Sequence, residues 1–526
     1  MIEGSATRRL PIGIQSFEEI RTDGYVYVDK TDLVWEMANG KKSNFFSRPR
    51  RFGKSLLLST LQCYFEGRKE LFQGLKIMDL EKEWISRPVF RFDFSGAMTA
   101  KELEGKIDFI LREYEKEWEI EDRPTNPGDR MLYLIKTART RSGQKAAVLV
   151  DEYDFPLQHT LFDESEHSSI ANVYTSFFPA LKTADELLKC VFITGITKFT
   201  HQSLFSILNN LTVQSLSPKY ATVCGMTHNE IVENFSPELQ SMAKVNGWSM
   251  EETLSRLKEE YDGYFFSTGQ DEGIYNPFSV INALDSGKIA SYWAFSGASE
   301  LLSKMLMESF QAGNELDGVE IGAGRFELQD VSLDNIPLFL YQTGYLTIKG
   351  YDDGIYTLGF PNREVKSTLY EILLPSLVGK DASKVDSSIK KIKGALRQSD
   401  IEEVMLNLRQ LIAETPYASK GYKPLEERFQ FIVVQTFYMC GCKVDEHRKV
   451  AGGEIDVVVH YGNLILVMEL KVGGEKAVDK GCAQAHDKGY LDAYCATGKD
   501  VYLVAVSFTL AKGKSGISGY KIERIS

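Results

Sequence analysis

The sequence predicts an α/β protein of several domains, with a core of alternating strands and helices in front and a second α/β domain at the back, and three observations carry that prediction. The chain has 526 residues, several times the roughly 100–200 of a typical domain. Its first third alternates short apolar runs with helical stretches, the pattern of a parallel sheet whose crossovers carry helices. Near the end, Glu454 to Val472 reads as two further strands behind a helix-rich middle. Hydrophobic residues at 43% and charged residues at 25% are ordinary globular usage and exclude collagen-like, low-complexity or long disordered sequence. No stretch reaches the roughly 18 consecutive apolar residues of a membrane helix, and Met1 to Pro11 is polar, so a cytoplasmic protein with no membrane partner is expected. Seven cysteines are too sparse for a disulfide framework and seven histidines show no zinc spacing, so any metal should sit on carboxylates.

In chain order, Asn44 to Ser47 reads as a short strand, Ser55 to Phe65 as an apolar helix and Val89 to Phe94 as a strand. Leu103 to Trp118 follows as a helix, then Ala146 to Val150 and Cys190 to Thr194 as buried strands. From Met226 to Tyr264 the texture is helical: THNEIVENF and SMEETLSRLKEEY combine spaced apolar positions with acidic first turns. Asp334 to Leu374 reads helix, strand, turn, strand, helix, the order of a winged helix, and its few basic residues favour packing on a neighbouring domain over reading DNA. Residues 380–400, rich in Lys, Ser and Asp, read as a connector, Ile401 to Ile412 as a helix, and the body of the last domain as starting near Pro416. The resulting division is 1–225 for the core, 226–325 for a helical lid or linking region, 326–400 for the winged-helix-like region with its connector, and 401–526 for the last domain.

The net charge of −12 argues against a protein that coats nucleic acid indiscriminately, but positive charge is concentrated locally. The segment from Lys41 to Lys54, KKSNFFSRPRRFGK, carries six basic residues and no acid. A triphosphate site needs a strand, a loop of inward-pointing N–H groups, and a helix whose first turn, lysine and hydroxyl meet phosphates and Mg²⁺. FFSRPRRFGKSLLL supplies that order, with Gly53, Lys54 and Ser55 opening an apolar helix. The usual first glycine of the loop would fall at position 48, where this chain has Arg48. The loop Arg48, Pro49, Arg50, Arg51, Phe52, Gly53, Lys54, Ser55, Leu56 is the candidate nucleotide cradle. A buried strand ending in acids, AAVLVDE, supplies the other half: Asp151 to hold Mg²⁺ together with Ser55, and Glu152 to orient the attacking water. Thr194, at the end of a further strand, is placed to sense the γ-phosphate, with Thr197 and Lys198 close behind. Arg48, Arg50 and Arg51 could contact phosphate, reach the nucleotide of a neighbouring copy in a homo-oligomer, or pair with acids, and phosphate contact is expected for one of the three.

Metal-dependent cleavage of a phosphodiester needs two or three carboxylates around Mg²⁺ and a lysine to stabilise charge or place the nucleophile. EIDVVVHYGNLILVMELKV reads as two strands joined at Tyr461-Gly462-Asn463, with Asp456 on the first and Glu469 and Lys471 on the second. Period-two alternation puts Glu469 and Lys471 on one face. A half-exposed strand would show the same alternation, but LILVM is apolar enough to be covered, and burying a charged pair there is costly without a metal or partner. The helix from Leu425 to Phe437 opens with Glu426 and Glu427, either of which could complete the cluster. Gln484, Lys488 and Tyr490 lie on the helical stretch downstream, where a solvated face is the plainer account of Lys488.

With these residues in hand, the chain resembles a bacterial and archaeal family of AAA-ATPase-like proteins that carry a C-terminal domain of the PD-(D/E)XK nuclease superfamily. FFSRPRRFGKSLLLSTLQCYFEG resembles that family's modified phosphate loop, VLVDEYD its Walker B strand, and ITGITKFTHQSLFSILNNL the stretch around its sensor strand. YDGYFF, YNPFS, YQTGYLTI and LGFPNREV resemble its middle region. The resemblance implies a P-loop NTPase core with a helical lid and a winged-helix-like region, followed by a restriction-endonuclease-like domain. It implies ATP and Mg²⁺ as cofactors and a nucleic-acid partner, DNA before RNA. Asp456, Glu469 and Lys471 fall on the family's D…(D/E)xK positions, Glu426 fits the upstream glutamate better than Glu427, and Gln484 falls on the glutamine that meets substrate. Glu454 departs from the family's frequent arginine and adds negative charge near the expected metal. The function so implied is ATP hydrolysis coupled to a Mg²⁺-dependent nuclease. The alternatives are a nucleotide-regulated switch that binds nucleic acid or a protein without cutting, and a structural protein retaining both folds without chemistry.

Overall fold

The computed structural model describes residues 9–199, 208, 210–293, 317–328, 335–413, 415, 425–450, 453–495, 497–511 and 514–526. Part of the segment expected to follow the sensor strand, at 200–207 and 209, and the expected start of the last domain at Pro416 lie outside the described residues. The described residues up to Val365 form one compact unit and those from Lys366 to Ser526 a second.

The first unit is organised by a five-stranded sheet in the order β2-β3-β4-β1-β5, where β1 is Ser43–Ser47, β2 Val89–Asp93, β3 Ala146–Asp151, β4 Leu188–Gly195 and β5 Thr212–Val213. Every pairing is parallel, so each connection must cross over, and helices such as Ala100–Glu117 and Pro127–Ser142 do so. Both central strands, β3 and β4, are buried almost throughout, which is why AAVLVD and CVFIT read as continuous apolar runs and not as alternation. Local signals set the helix ends. Thr99 and Glu102 form a reciprocal capping box before Ala100–Glu117, and Asn126 caps Pro127–Ser142, which Gly143 ends at φ 70°.

The helices His228–Asn234, Ser236–Asn246, Met250–Tyr261 and Pro277–Ser286 gather around Ile231, Phe235, Leu239, Met242, Leu257 and Val280. Thr227 and Glu230 cap the first of them reciprocally. The helix Ile336–Thr343, strands β7 (Thr347–Asp352) and β8 (Ile355–Gly359) and the helix Arg363–Val378 follow in the expected order, and β6 (Val319–Gly322) adds a third antiparallel strand to β8.

In the second unit the sheet order is β13-β12-β11-β10-β9, with β9 Lys443–Val450, β10 Gly453–Tyr461, β11 Leu464–Val472, β12 Asp500–Ala511 and β13 Lys514–Arg524. Only β11 and β12 pair in parallel, joined across the helix Glu475–Asp487. The helix Leu425–Met439 lies on this sheet, with Phe429 stacked on Phe508 at 4.5 Å between ring centres. The connector expected at 380–400 is corrected: Ala382–Arg397 is a helix. Val385, Ile389, Ile392 and Leu396 recur at helical spacing and are buried, while the lysines and serines that suggested a linker cover its outer face.

Candidate functional site

The first candidate site lies at the carboxyl ends of β1, β4 and β3, which are neighbours in that order. In an open parallel sheet this is the edge at which loops converge on a ligand. The phosphate loop leaves β1 after Ser47, paired with Gly195 of β4, and enters the helix Lys54–Phe65 through Gly53. Gly53 has φ 93°, a left-handed conformation that costs glycine little and turns the chain sharply into the helix. No side chain caps that helix, so the N–H groups of its first turn, including those of Ser55 and Leu56, remain the groups an anion would meet.

Lys54 is buried, and its ammonium donates to the carbonyl of Pro49 in its own loop at 3.0 Å. Burial pushes its pKa down, opposed by the negative charges of Glu152, Asp151 and Asp154. Asp151, buried at the end of β3, is pushed up by burial, opposed by a hydrogen bond with Ser55 and by the charges of Arg91 and Lys54. Ser55 and Asp151 are thus already together where a Mg²⁺ would take one oxygen from each. Glu152 follows with φ 48°, a left-handed conformation rare for a side chain of this size, and burial raises its carboxyl. Such strain, of order 1–3 kcal/mol, tends to persist where a side chain must be aimed. Thr194 is 1% exposed, and its hydroxyl has no hydrogen-bond partner among the described residues. An unpaired hydroxyl buried at a strand end costs about 1–3 kcal/mol and fits a site in which a ligand oxygen completes it.

The arginines divide. Arg48 is corrected from a candidate phosphate contact: its guanidinium lies between the rings of Phe46 and Phe266, at 4.4 and 4.1 Å, and donates to the carbonyls of Ser47, Ser215 and Tyr220. Burial lowers its pKa to about 10. It serves the loop's foundation. Arg50 is half-buried, and Arg51, at φ 69°, is exposed with its guanidinium 4.7 Å from the ring centre of Phe278. Pro49 and Phe52 are buried beneath the loop, and Leu56 is half-buried in the first helical turn.

Two participants escaped the sequence reading. Arg91 on β2 reaches Asp151 at 3.4 Å. Asp154 is the hub of the loops after β3 and β4, accepting from the backbone N–H of Ile196 and Thr197 and from the Thr197 hydroxyl. The third acidic position of VLVDEYD was its only signal.

The second candidate site lies on β10 and β11 of the C-terminal unit. The antiparallel register Val457↔Met468 continues to set Asp456 opposite Glu469. Lys471 reaches Glu469 at 3.1 Å, Asp456 at 3.5 Å and Glu426, in the first turn of Leu425–Met439, at 3.7 Å, while Glu427 is exposed. The four residues expected to act together therefore meet, but around an ammonium. Among the described residues no group of three or more His, Cys, Asp or Glu is spaced to hold a metal ion.

Asp456 also accepts from the backbone N–H of Leu470 at 2.7 Å, and Gln430 anchors its carbonyl at 3.1 Å. Glu469 is fully buried, and one carboxylate oxygen, Oε1, has no partner among the described residues. Burial raises its pKa to about 7, reinforced by the charge of Asp456 and opposed by Lys471 and Lys488. A cation held between Asp456 and Glu469 would pair that orphaned oxygen and relieve the apposed charges, so these two acids fit a divalent ion. Gln484 is half-buried and donates to the Tyr490 hydroxyl at 3.5 Å; Lys488 is exposed, although its charge bears on Glu469.

Residues 11–205 match a family model described as "Predicted AAA-ATPase". Over 534 aligned positions the chain is 31% identical to a protein of Azotobacter chroococcum mcd 1 described as "Uncharacterized protein in vnfD 5'region", across 98% of this chain and 99% of that protein.

Proposed function

This chain belongs to the predicted AAA-ATPase family, and from that premise we propose that it binds and hydrolyses ATP at the N-terminal sheet and cleaves a phosphodiester of nucleic acid, DNA before RNA, at the C-terminal acids. The observation that carries the first half is the meeting of Lys54, Asp151, Glu152 and the unpaired Thr194 hydroxyl at three neighbouring strand ends. Lys54 exchanges its neutral carbonyl partner for phosphate oxygens, so that its ammonium gains an anionic acceptor in place of a dipole. Thr194 donates to the terminal phosphate, and Glu152 orients water in line with it. Mg²⁺, held by Ser55 and Asp151, would neutralise charge on the phosphates.

At the C-terminal site, Asp456 and Glu469 would hold a divalent ion that polarises the phosphodiester. Lys471 would assist attack on the scissile phosphate, Glu426, 3.7 Å from that ammonium, would complete the acid cluster, and Gln484 would contact the strand. Lys54→Ala and Asp456→Ala separate the two chemistries. The first should abolish ATP turnover; the second should abolish Mg²⁺- or Mn²⁺-dependent cleavage while turnover survives. A wild-type chain that turns over ATP yet never nicks DNA or RNA across divalent metals would refute the nuclease half. The nucleotide-regulated switch that binds without cutting would then be the better account, and it has Lys471 already neutralising the acids in its favour.

A further inference from the structure

The phosphate loop lacks its first glycine, and its shape is held from behind by the middle-region motifs. Phe52 packs edge-on against Tyr264 and Phe266, with ring centres at 4.7 and 5.4 Å, and its carbonyl accepts from the N–H of Gly225 at 3.2 Å. Pro49 lies against Gly344, where an added Cβ would come within 2.6 Å of the proline side chain. Between these two anchors the carbonyl of Arg50 accepts from the indole N–H of Trp293 at 3.4 Å, and that indole packs edge-on against Tyr345 at 4.7 Å.

Trp293 is itself held. The buried carboxylate of Glu364 accepts from the backbone N–H groups of Tyr292 and Trp293 at 2.6 and 2.7 Å, and from the Ser279 hydroxyl at 2.7 Å. Burial raises the Glu364 carboxyl to about 7, opposed by those bonds, and the nearby charge of Glu260 raises it further. A carboxylate is an expensive way to join backbone N–H groups in a buried setting, since it must first be taken out of water. Two of its three donors are backbone groups of the segment that bears the indole, the third ties that segment to the helix Pro277–Ser286, and the indole donates to the carbonyl of Arg50, between Pro49 and Phe52.

We infer that Glu364 is a positioning residue for the phosphate loop. Through Tyr292 and Trp293 it fixes the Arg50 carbonyl, and with it the direction of the N–H groups that follow toward Gly53. The inference rests on the nucleotide reading above and adds to it a remote residue that sets affinity.

The test uses the full chain and the variants Glu364→Ala, Glu364→Gln and Trp293→Phe. Affinity for a fluorescent ATP analogue with Mg²⁺, KM and kcat for ATP, melting temperature, and tryptic cleavage after Arg50 and Arg51 are measured on each. Losing one such bond is expected to weaken nucleotide affinity by about three- to tenfold in Glu364→Ala and Trp293→Phe. KM should rise more than kcat falls, and cleavage in the loop should quicken severalfold. Glu364→Gln, which keeps a carbonyl acceptor of the same size, should regain most of the affinity. Variants that melt lower but bind ATP and resist trypsin as wild type does would show Glu364 to be merely structural and overturn the inference alone. A wild-type chain with no affinity for ATP would refute the nucleotide reading and this inference together.

Discussion

Replacing Glu469 by glutamine should stabilise the chain at pH 8 relative to pH 5. An acid whose folded pKa is raised is favoured in its neutral form by the fold, so the protein binds more protons folded than unfolded between the two pKa values. Its contribution is intact below the unfolded value near 4.5 and is lost as pH rises through the folded value of about 7. The distance between those values corresponds to about 3 kcal/mol, of which about 1 kcal/mol has been lost by pH 5 and the rest by pH 8. Glutamine keeps the shape and cannot ionise, so its stability relative to wild type should rise by about 2 kcal/mol between pH 5 and pH 8. For a unit of this size that is a relative gain in melting temperature of about 4–8 °C. Calorimetry on the full chain at the two pH values measures it, following the transition that responds to the substitution. Groups common to both proteins cancel in the comparison. Manganese adds a second arm: it should stabilise wild type at pH 8 and leave the glutamine variant unmoved. A variant that loses as much stability at pH 8 as at pH 5, because the Lys471 pair outweighs burial of the charge, would refute this account.

Thr194→Val removes a buried hydroxyl that has no partner among the described residues, so stability should rise by about 1–3 kcal/mol while ATP turnover falls at least tenfold; an unchanged turnover would remove Thr194 from the site. Arg48→Lys keeps the charge but not the planar fork between two rings and three carbonyls, and should cost about 2–4 kcal/mol in urea unfolding. Glu152→Gly releases a left-handed backbone conformation and should raise the melting temperature, by about 1 kcal/mol in stability, while abolishing ATP turnover; a lower melting temperature would show that the conformation carries no strain.

The strand ends were legible in the sequence because two local signals coincide there: an apolar run marks a covered strand, and a charged residue at its end must then have a purpose. AAVLVDE and LILVMELK are both of this kind, and β3 and β11 lie where those runs are. What the sequence hid was long-range. Nothing near Arg48 reveals that its guanidinium will be taken by carbonyls at Ser215 and Tyr220, so in a segment with six basic residues and no acid it reads as one of three candidate phosphate contacts. Asp154 acts through residues more than forty positions away. Glu364 sits in LGFPNREV, a motif that shows in the sequence only a resemblance to the family's middle region, because its donors come from Ser279 and from Tyr292 and Trp293, over seventy residues upstream. The helix Ala382–Arg397 was missed for the opposite reason: its composition was weighed before the spacing of its apolar residues.

The two lysines also predict an order of events. Each ammonium rests on acceptors of its own chain, but those acceptors differ in charge. Lys54 bonds a neutral carbonyl, and a triphosphate offers it an anionic acceptor, so nucleotide can displace that contact with no prior step. Lys471 bonds carboxylates, one of them fully buried, and a phosphodiester approaching alone would meet their negative charge before it gained the lysine. On the proposed function, a dication held by Asp456 and Glu469 would have to neutralise them before Lys471 could turn away. Binding of an ATP analogue should therefore remain measurable in EDTA at reduced affinity, whereas binding of a short DNA duplex should be lost with the metal and return with Ca²⁺, which can hold the acids without supporting cleavage. DNA binding that is indifferent to EDTA would show that the duplex is held elsewhere and that the Lys471 cluster is a structural ion pair.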